Sequence, residues 1–129
     1  MTFSPIAIVG RACELPGAST PDALFQALLE SRDLTTDVPA DRWGVAPRHA
    51  VGAVGQSADR TWSTRGGYVR GFEERFDASG FEVPATLLQR LDPVFTWLLH
   101  VARIAMASGA TVDKARTGVV VGNLSFPSR

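Results

Sequence analysis

The sequence predicts an α/β fold in which parallel-type core strands are covered by helices. Two continuous apolar runs, Ile6–Val9 and Val119–Val121, have the composition of strands buried on both faces, and each is followed by a glycine. Two segments with helical periodicity lie between them, so the order is strand, helix, loop, helix, strand. Because parallel strands need long connections that are usually helical, this order favours a parallel sheet.

The first helix is predicted to begin just after Thr20. The Thr20 side chain can cap the helix, Pro21 suits its first turn, and Asp22 lies at the positive end of the helix dipole. An apolar stripe follows at helical spacing, formed by Leu24, Phe25, Leu28 and Leu29. The segment is therefore typical of an amphipathic helix.

The middle of the chain is predicted to be irregular. Residues 34–43 form an extended connector, because Pro39 breaks any helix there. Five glycines and no periodicity mark residues 44–67 as a long loop, of the kind that is functional, mobile or part of an interface. Three phenylalanines then recur at intervals that suit anchoring an irregular stretch onto a core: Phe72, Phe76 and Phe81.

The clearest element is a helix from Asp92 to Ser108. Asp92 is a typical cap, Pro93 suits the first turn, and Gly109 stands where a helix often ends. One narrow polar stripe recurs at spacings of four, three and four: Thr96, His100, Arg103 and Ala107. A helix with so thin a polar stripe is expected to be central and buried nearly all round. Two strands cannot shelter it, so the chain is expected to be part of a larger body.

Composition excludes several classes of function. Thirteen basic residues balance thirteen acidic ones among 129, so neither nucleic acid nor an anionic membrane is expected as a partner. The longest apolar stretch, residues 94–110, is shorter than a membrane span. A single cysteine and an N-terminus without a basic region before its apolar residues indicate a reducing compartment and no signal peptide. A cytoplasmic protein is expected.

Few residues could carry chemistry. Cys13 follows the first apolar run, but no base lies near it in sequence, so a packing role is expected rather than a nucleophile. His100 could be a general base, although its place on the polar stripe favours a solvated or hydrogen-bonded role. His49 lies in the loop, and the two histidines match no metal-ligand spacing. No glycine-rich phosphate loop has the required spacing.

An ordered set of motifs resembles the start of a β-ketoacyl synthase domain of modular polyketide and fatty-acid synthases. The set comprises the first apolar run, the turn with Cys13, Pro16 and Gly17, the helix from Pro21 to Leu24, the hexapeptide from Val38 to Trp43, the "RTWSTRGGYV" segment, Phe76-Asp77, the Asp92-Pro93 helix and "RTGVVVGN". The family usually has Gln-Gln where Val94 and Phe95 stand, and the tail "GNLSFPSR" also differs. Both departures look closer to the synthases of bacterial polyunsaturated-fatty-acid and related iterative polyketide systems.

The resemblance implies a thiolase-like α/β fold, usually a homodimer. It also implies condensation of an acyl chain with a malonyl unit on the phosphopantetheine arm of an acyl carrier protein. In that family the nucleophilic cysteine and two catalytic histidines lie beyond the position of Arg129, and Cys13 corresponds to a structural cysteine. No residue of this chain is therefore assigned to a catalytic, cofactor-binding or metal site.

Two readings follow from the resemblance. In the first, residues 1–129 are the N-terminal portion of one synthase domain, truncated before its catalytic residues and inactive alone. In the second, the chain belongs to a non-catalytic synthase-like subunit that sets chain length or docks a carrier protein. A stand-alone binding domain is a third possibility. On the helix from Asp92 to Ser108, Leu98 is expected to be a core residue and Thr96, on the polar stripe, a solvated one.

Overall fold

The computed structural model describes residues 4–53, 55, 59–109, 111 and 113–123. The chain divides into two compact units. The middle unit consists of Leu15–Arg70, and the terminal unit combines Met1–Glu14 with Gly71–Arg129. No helix among the described residues is long and apolar enough to cross a lipid bilayer.

The described residues of the middle unit form two helices and a minimal antiparallel ladder. Helix α1 spans Pro21–Leu29, and α2 spans Pro47–Ala50. Strand β1 (Thr36–Asp37) pairs with β2 (Arg65–Gly66), with Thr36 opposite Gly66. The ladder has only two residues in each strand, and side-chain hydrogen bonds around it add to the backbone pairing.

The predicted start of α1 is confirmed. The Thr20 hydroxyl accepts a hydrogen bond from the Ala23 N–H at 3.1 Å, and Pro21 opens the helix. The apolar stripe of this helix is nevertheless exposed, with Leu28 at 67% and Leu29 at 64%. Ala27 is the buried member of the helix.

Arg65 fixes the approach to the ladder. Its Nη2 donates to Asp33 Oδ2 at 2.6 Å and to the Thr35 hydroxyl at 2.8 Å. Hydrogen bonds from the Thr35 side chain and backbone, assisted by the Arg65 charge, lower the pKa of Asp33. The residues between α1 and β1 are thereby tied to β2, on the far side of the long loop.

The terminal unit is helical. It contains α3 (Phe72–Arg75), α4 (Ala85–Leu88), α5 (Pro93–Ala107) and a 3₁₀ turn, Lys114–Arg116. Helix α5 begins as predicted, because Asp92 Oδ1 accepts from the Val94 N–H at 2.9 Å. The core of this unit is centred on Phe72 and Leu88, which are 2% and 0% exposed.

Glycines allow the N-terminal segment to cross the end of α5. A Cβ on Gly109 would collide with the Val9 carbonyl, and a Cβ on Gly10 would collide with the Ala105 carbonyl. The Ser108 hydroxyl also donates to the Arg11 carbonyl at 3.4 Å. Gly109 follows the C-cap Ser108 as predicted, but the reason for a glycine there is this close approach of two backbones.

Neither predicted core strand forms in the described part of the chain. Residues 6–9 and 119–121 have no strand partner, and Ile6 and Val120 are 92% and 99% exposed. A strand requires a neighbour that pairs with its N–H and C=O groups, and sequence composition alone supplies none. The prediction of a parallel sheet is therefore wrong for the described residues. The sheet that they form is the antiparallel β1–β2 ladder.

Candidate functional site

The polar stripe of α5 faces the interior of the terminal unit. Thr96 is 8% exposed, whereas Leu98 and Phe95, on other faces of the helix, are 42% and 47% exposed. The expectation of a solvated Thr96 and a core Leu98 is wrong in this structure. The reason is that the polar stripe is covered by segment 71–81, which follows the middle unit.

An aromatic cluster forms this cover. The Phe72 ring lies edge-on to Trp97 and His100, with ring centroids 5.6 and 5.3 Å apart, and 5.7 Å from Phe76. Phe76 in turn stacks on Phe81 at 6.1 Å. The prediction that the three phenylalanines anchor an irregular segment onto a core is confirmed, and α5 is the surface that they anchor to.

Arg103 holds the far end of this segment. Its guanidinium donates to the carbonyls of Asp77 and Ser79, both at 2.8 Å, and lies 4.6 Å from the Phe81 ring centroid. The backbone and hydroxyl of Ser79 donate to the Asp77 carboxylate and lower its pKa, with a smaller contribution from Arg103. One cation thus satisfies two backbone carbonyls and covers an aromatic face.

A buried carboxylate, Glu14, joins the N-terminal segment to α3. Its side chain is 2% exposed, and Oε1 accepts a hydrogen bond from Arg75 Nη2 at 2.6 Å. Its other oxygen, Oε2, lies 4.0 Å from His100 Nε2, beyond hydrogen-bond distance. In the described structure, three buried polar atoms have no hydrogen-bond partner: Glu14 Oε2, His100 Nδ1 and Trp97 Nε1.

This Glu14–Arg75–His100 cluster is suited to anchoring rather than to proton transfer. A general base must come within hydrogen-bond reach of a substrate proton, but the side chains of Glu14 and His100 are 2% and 13% exposed. The expected solvated position of His100 is therefore wrong. Glu14 could not be identified from the sequence, because its partner Arg75 is 61 residues away and no local pattern marks the pair.

Cys13, next to Glu14, is partly buried. Burial raises the pKa of its thiol, and the negative charge of Glu14 raises it further. The thiol is therefore protonated at neutral pH, which disfavours nucleophilic attack and supports the packing role expected from the sequence. His49 is exposed on α2 rather than lying in an irregular loop, and it belongs to the middle unit.

A comparison with protein families decides the relationship. The family model of the β-ketoacyl synthase N-terminal domain matches residues 3–126 of this chain. The chain belongs to this family. The resemblance drawn from its ordered motifs is thereby confirmed.

Relatives of this synthase segment are long polyketide synthases. This chain is 34% identical over 125 residues to the mycocerosic acid synthase-like polyketide synthase of Mycobacterium tuberculosis. The match covers 92% of this chain and 6% of the relative. The highly reducing polyketide synthase PKS6 of Gibberella zeae is 33% identical over 125 residues, with 93% and 5% covered. The chain thus spans a small fraction of the length of these relatives.

A solved structure matches this member of the synthase family. The PfaC keto synthase–chain length factor protein is 34% identical to this chain, with a TM-score of 0.70. The match covers 79% of this chain and 11% of the PfaC chain. The described fold is therefore part of a ketosynthase, thiolase-like fold. Among the described residues, no group of three histidine, cysteine or acidic side chains could hold a metal ion.

Proposed function

We propose that this chain is the N-terminal segment of a β-ketoacyl synthase that condenses acyl and malonyl units in polyketide or fatty-acid biosynthesis. The observation that carries the proposal is the family match over residues 3–126, supported by relatives that are polyketide synthases. The acyl units would be held on the phosphopantetheine arm of a carrier protein. The complete synthase would act in the cytoplasm as a homodimer.

The chemistry of the described residues favours a scaffolding role for this segment. Condensation requires a thiolate and groups that stabilise the charge that develops on decarboxylation. Cys13 has a raised pKa beside a carboxylate, which is the opposite of what a nucleophile requires. Exposed apolar residues such as Ile8 and Val120, at 90% and 99%, offer surface to the rest of the synthase or to a second chain.

A chimera tests this proposal. In the M. tuberculosis relative, the ketosynthase residues that align with 3–126 would be replaced by those of this chain, and malonyl decarboxylation and condensation on a loaded carrier protein would be measured. We expect activity in the chimera and none with the segment deleted, or with this chain alone. Acyl transfer to Cys13 in the isolated chain, detected by mass spectrometry, would contradict the proposal.

A non-catalytic subunit is the second candidate. The PfaC relative combines a keto synthase with a chain length factor, and Val94 and Phe95 replace the usual Gln-Gln of the family. These two residues line an apolar groove with Leu98 and residues 121–123. A chimera that folds and dimerises but no longer condenses, and regains activity when Val94 and Phe95 are replaced by glutamine, would favour this candidate.

A further inference from the structure

The β1–β2 ladder has two outer edges, and its register shows which backbone groups point to them. In an antiparallel ladder, pairs of residues that exchange hydrogen bonds alternate with pairs whose N–H and C=O groups point outward. The Val38 N–H donates to the Thr64 carbonyl at 2.9 Å. The neighbouring pair, Asp37 and Arg65, therefore turns its backbone groups away from the ladder.

Side chains bind the backbone on the outer side of β1. Arg70 Nη2 donates to the Asp37 carbonyl at 3.1 Å. The Arg65 side chain reaches across from β2, and its Nη2 donates to the carbonyl of Thr35, just before β1, also at 3.1 Å. The Thr35 N–H donates to Asp33 Oδ1 at 2.8 Å. Two guanidinium groups and one carboxylate thus occupy backbone groups beside this edge.

The outer edge of β2 is treated in the same way. The Arg65 N–H, which points away from β1, donates to Ser63 Oγ at 3.0 Å. An outward acceptor on β1 and an outward donor on β2 are therefore both bound by side chains of the middle unit.

These two groups are complementary to each other. Unpaired N–H and C=O groups on a sheet edge are a template for pairing with another chain. The Asp37 carbonyl lies on one edge and the Arg65 N–H on the other, so without their side-chain partners the β2 edge of one copy could pair with the β1 edge of the next. A head-to-tail contact of this kind repeats without closing and produces an open-ended stack.

We propose that the side chains of Ser63, Arg65 and Arg70, here named the edge caps, protect the ladder from strand addition by a second copy of this chain. Charged side chains are a general means of protecting edge strands. Here the protection is more direct, because the edge caps bind backbone groups that a second ladder would need. The proposal is independent of the condensation chemistry, since no edge cap is assigned to catalysis.

A purely structural role would explain only part of these contacts. The Arg65 guanidinium binds Asp33 Oδ2 at 2.6 Å and the Thr64 hydroxyl binds Asp37 Oδ1 at 2.9 Å, and both contacts join the two sides of the ladder. The bond from the Arg65 N–H to Ser63 lies within one segment, two residues apart, and joins no two strands. Removing the Ser63 hydroxyl would therefore uncover the outward donor of β2 and leave the links between the strands in place.

Amide hydrogen exchange of the 129-residue chain, followed by NMR at increasing protein concentration, tests the proposal. The variant Ser63→Ala/Arg70→Met uncovers one backbone group on each edge. Exchange of the Asp37 and Arg65 amides should slow by at least about tenfold as the concentration rises, because strand addition protects outward N–H groups. In the wild type the exchange of these two amides should not depend on concentration, even where other surfaces of the chain associate.

The matched control is Arg32→Met, which removes an arginine charge from the same unit, where Arg32 binds Glu30 and not the ladder. Circular dichroism confirms that each variant folds, and Ser63→Ala alone decides the outcome if Arg70→Met does not fold. Exchange that stays independent of concentration in the folded variants would overturn the proposal, even if their stability falls, because the caps would then only hold the ladder together. Equal slowing in Arg32→Met would also overturn it, since loss of charge would then be the cause.

Discussion

Removing Arg75 should destabilise the terminal unit more than neutralising its partner Glu14. The Glu14 side chain is 2% exposed and that of Arg75 is 43% exposed, so the two members of the pair differ in what their loss leaves behind. Arg75→Ala strands a buried carboxylate with His100 Nε2 4.0 Å away. An unpaired buried charge costs roughly 3–5 kcal/mol. Since Arg75 is partly solvated, we expect the lower part of that range.

Glu14→Gln should cost less, about 1–2 kcal/mol. The amide keeps the shape of the side chain, its oxygen can still accept from Arg75, and the arginine can turn towards solvent. The double variant should be less destabilised than the sum of the two, because the charge that Arg75→Ala would strand is absent.

Urea unfolding of the 129-residue chain measures all three free energies, with an osmolyte such as trimethylamine N-oxide added where a variant is too unstable. The matched control is Arg90→Ala, an exposed arginine of the same unit. A loss for Arg75→Ala equal to or smaller than that for Glu14→Gln would show that Glu14 is not a buried charge that depends on Arg75.

Three further predictions concern packing and reactivity. Leu88→Ala should lower the free energy of unfolding by roughly 2–5 kcal/mol. Leu98→Ala should lower it by less than half as much, because these residues are 0% and 42% exposed. The midpoints of urea unfolding compare the two variants. Gly109→Ala should cost about 1–3 kcal/mol in the same assay, since its Cβ would meet the Val9 carbonyl, while Gly118→Ala, with open space around it, serves as the control. Because burial and the Glu14 charge raise the pKa of the Cys13 thiol, its alkylation by iodoacetamide should reach half its maximal rate at a higher pH than that of an unstructured cysteine peptide. A lower midpoint would contradict the structure.

Helix starts could be predicted from the sequence because their causes are local. The Thr20 and Asp92 side chains accept hydrogen bonds from backbone groups two or three residues away, and a proline follows each of them. Such signals lie within one turn and need no knowledge of the rest of the chain. Strands lack this property: Ile6–Val9 has the composition of a strand, but its structure depends on a partner that the sequence pattern does not name.

The environment of each face of α5 could not be predicted. The periodicity correctly grouped Thr96, His100 and Arg103 on one stripe, but hydropathy assigned that stripe to solvent. In the structure, other residues of the terminal unit cover this stripe. Arg103 donates hydrogen bonds to backbone carbonyls, and the His100 ring packs against Phe72. Whether a polar face is buried depends on distant segments that satisfy it, and Glu14 was missed for the same reason.

Helix α5 also shows how the expected and observed burial are related. Segment 71–81 covers its polar stripe, while Phe95, Leu98 and Met106 remain 47%, 42% and 49% exposed. Polar contacts within the unit fix how the helix lies on its own chain, which leaves this apolar face available. In the proposed synthase, further protein would cover it, so the helix would become buried on both sides, as its composition predicts. The apolar face would then contribute to assembly and the polar stripe to the internal order of the terminal unit.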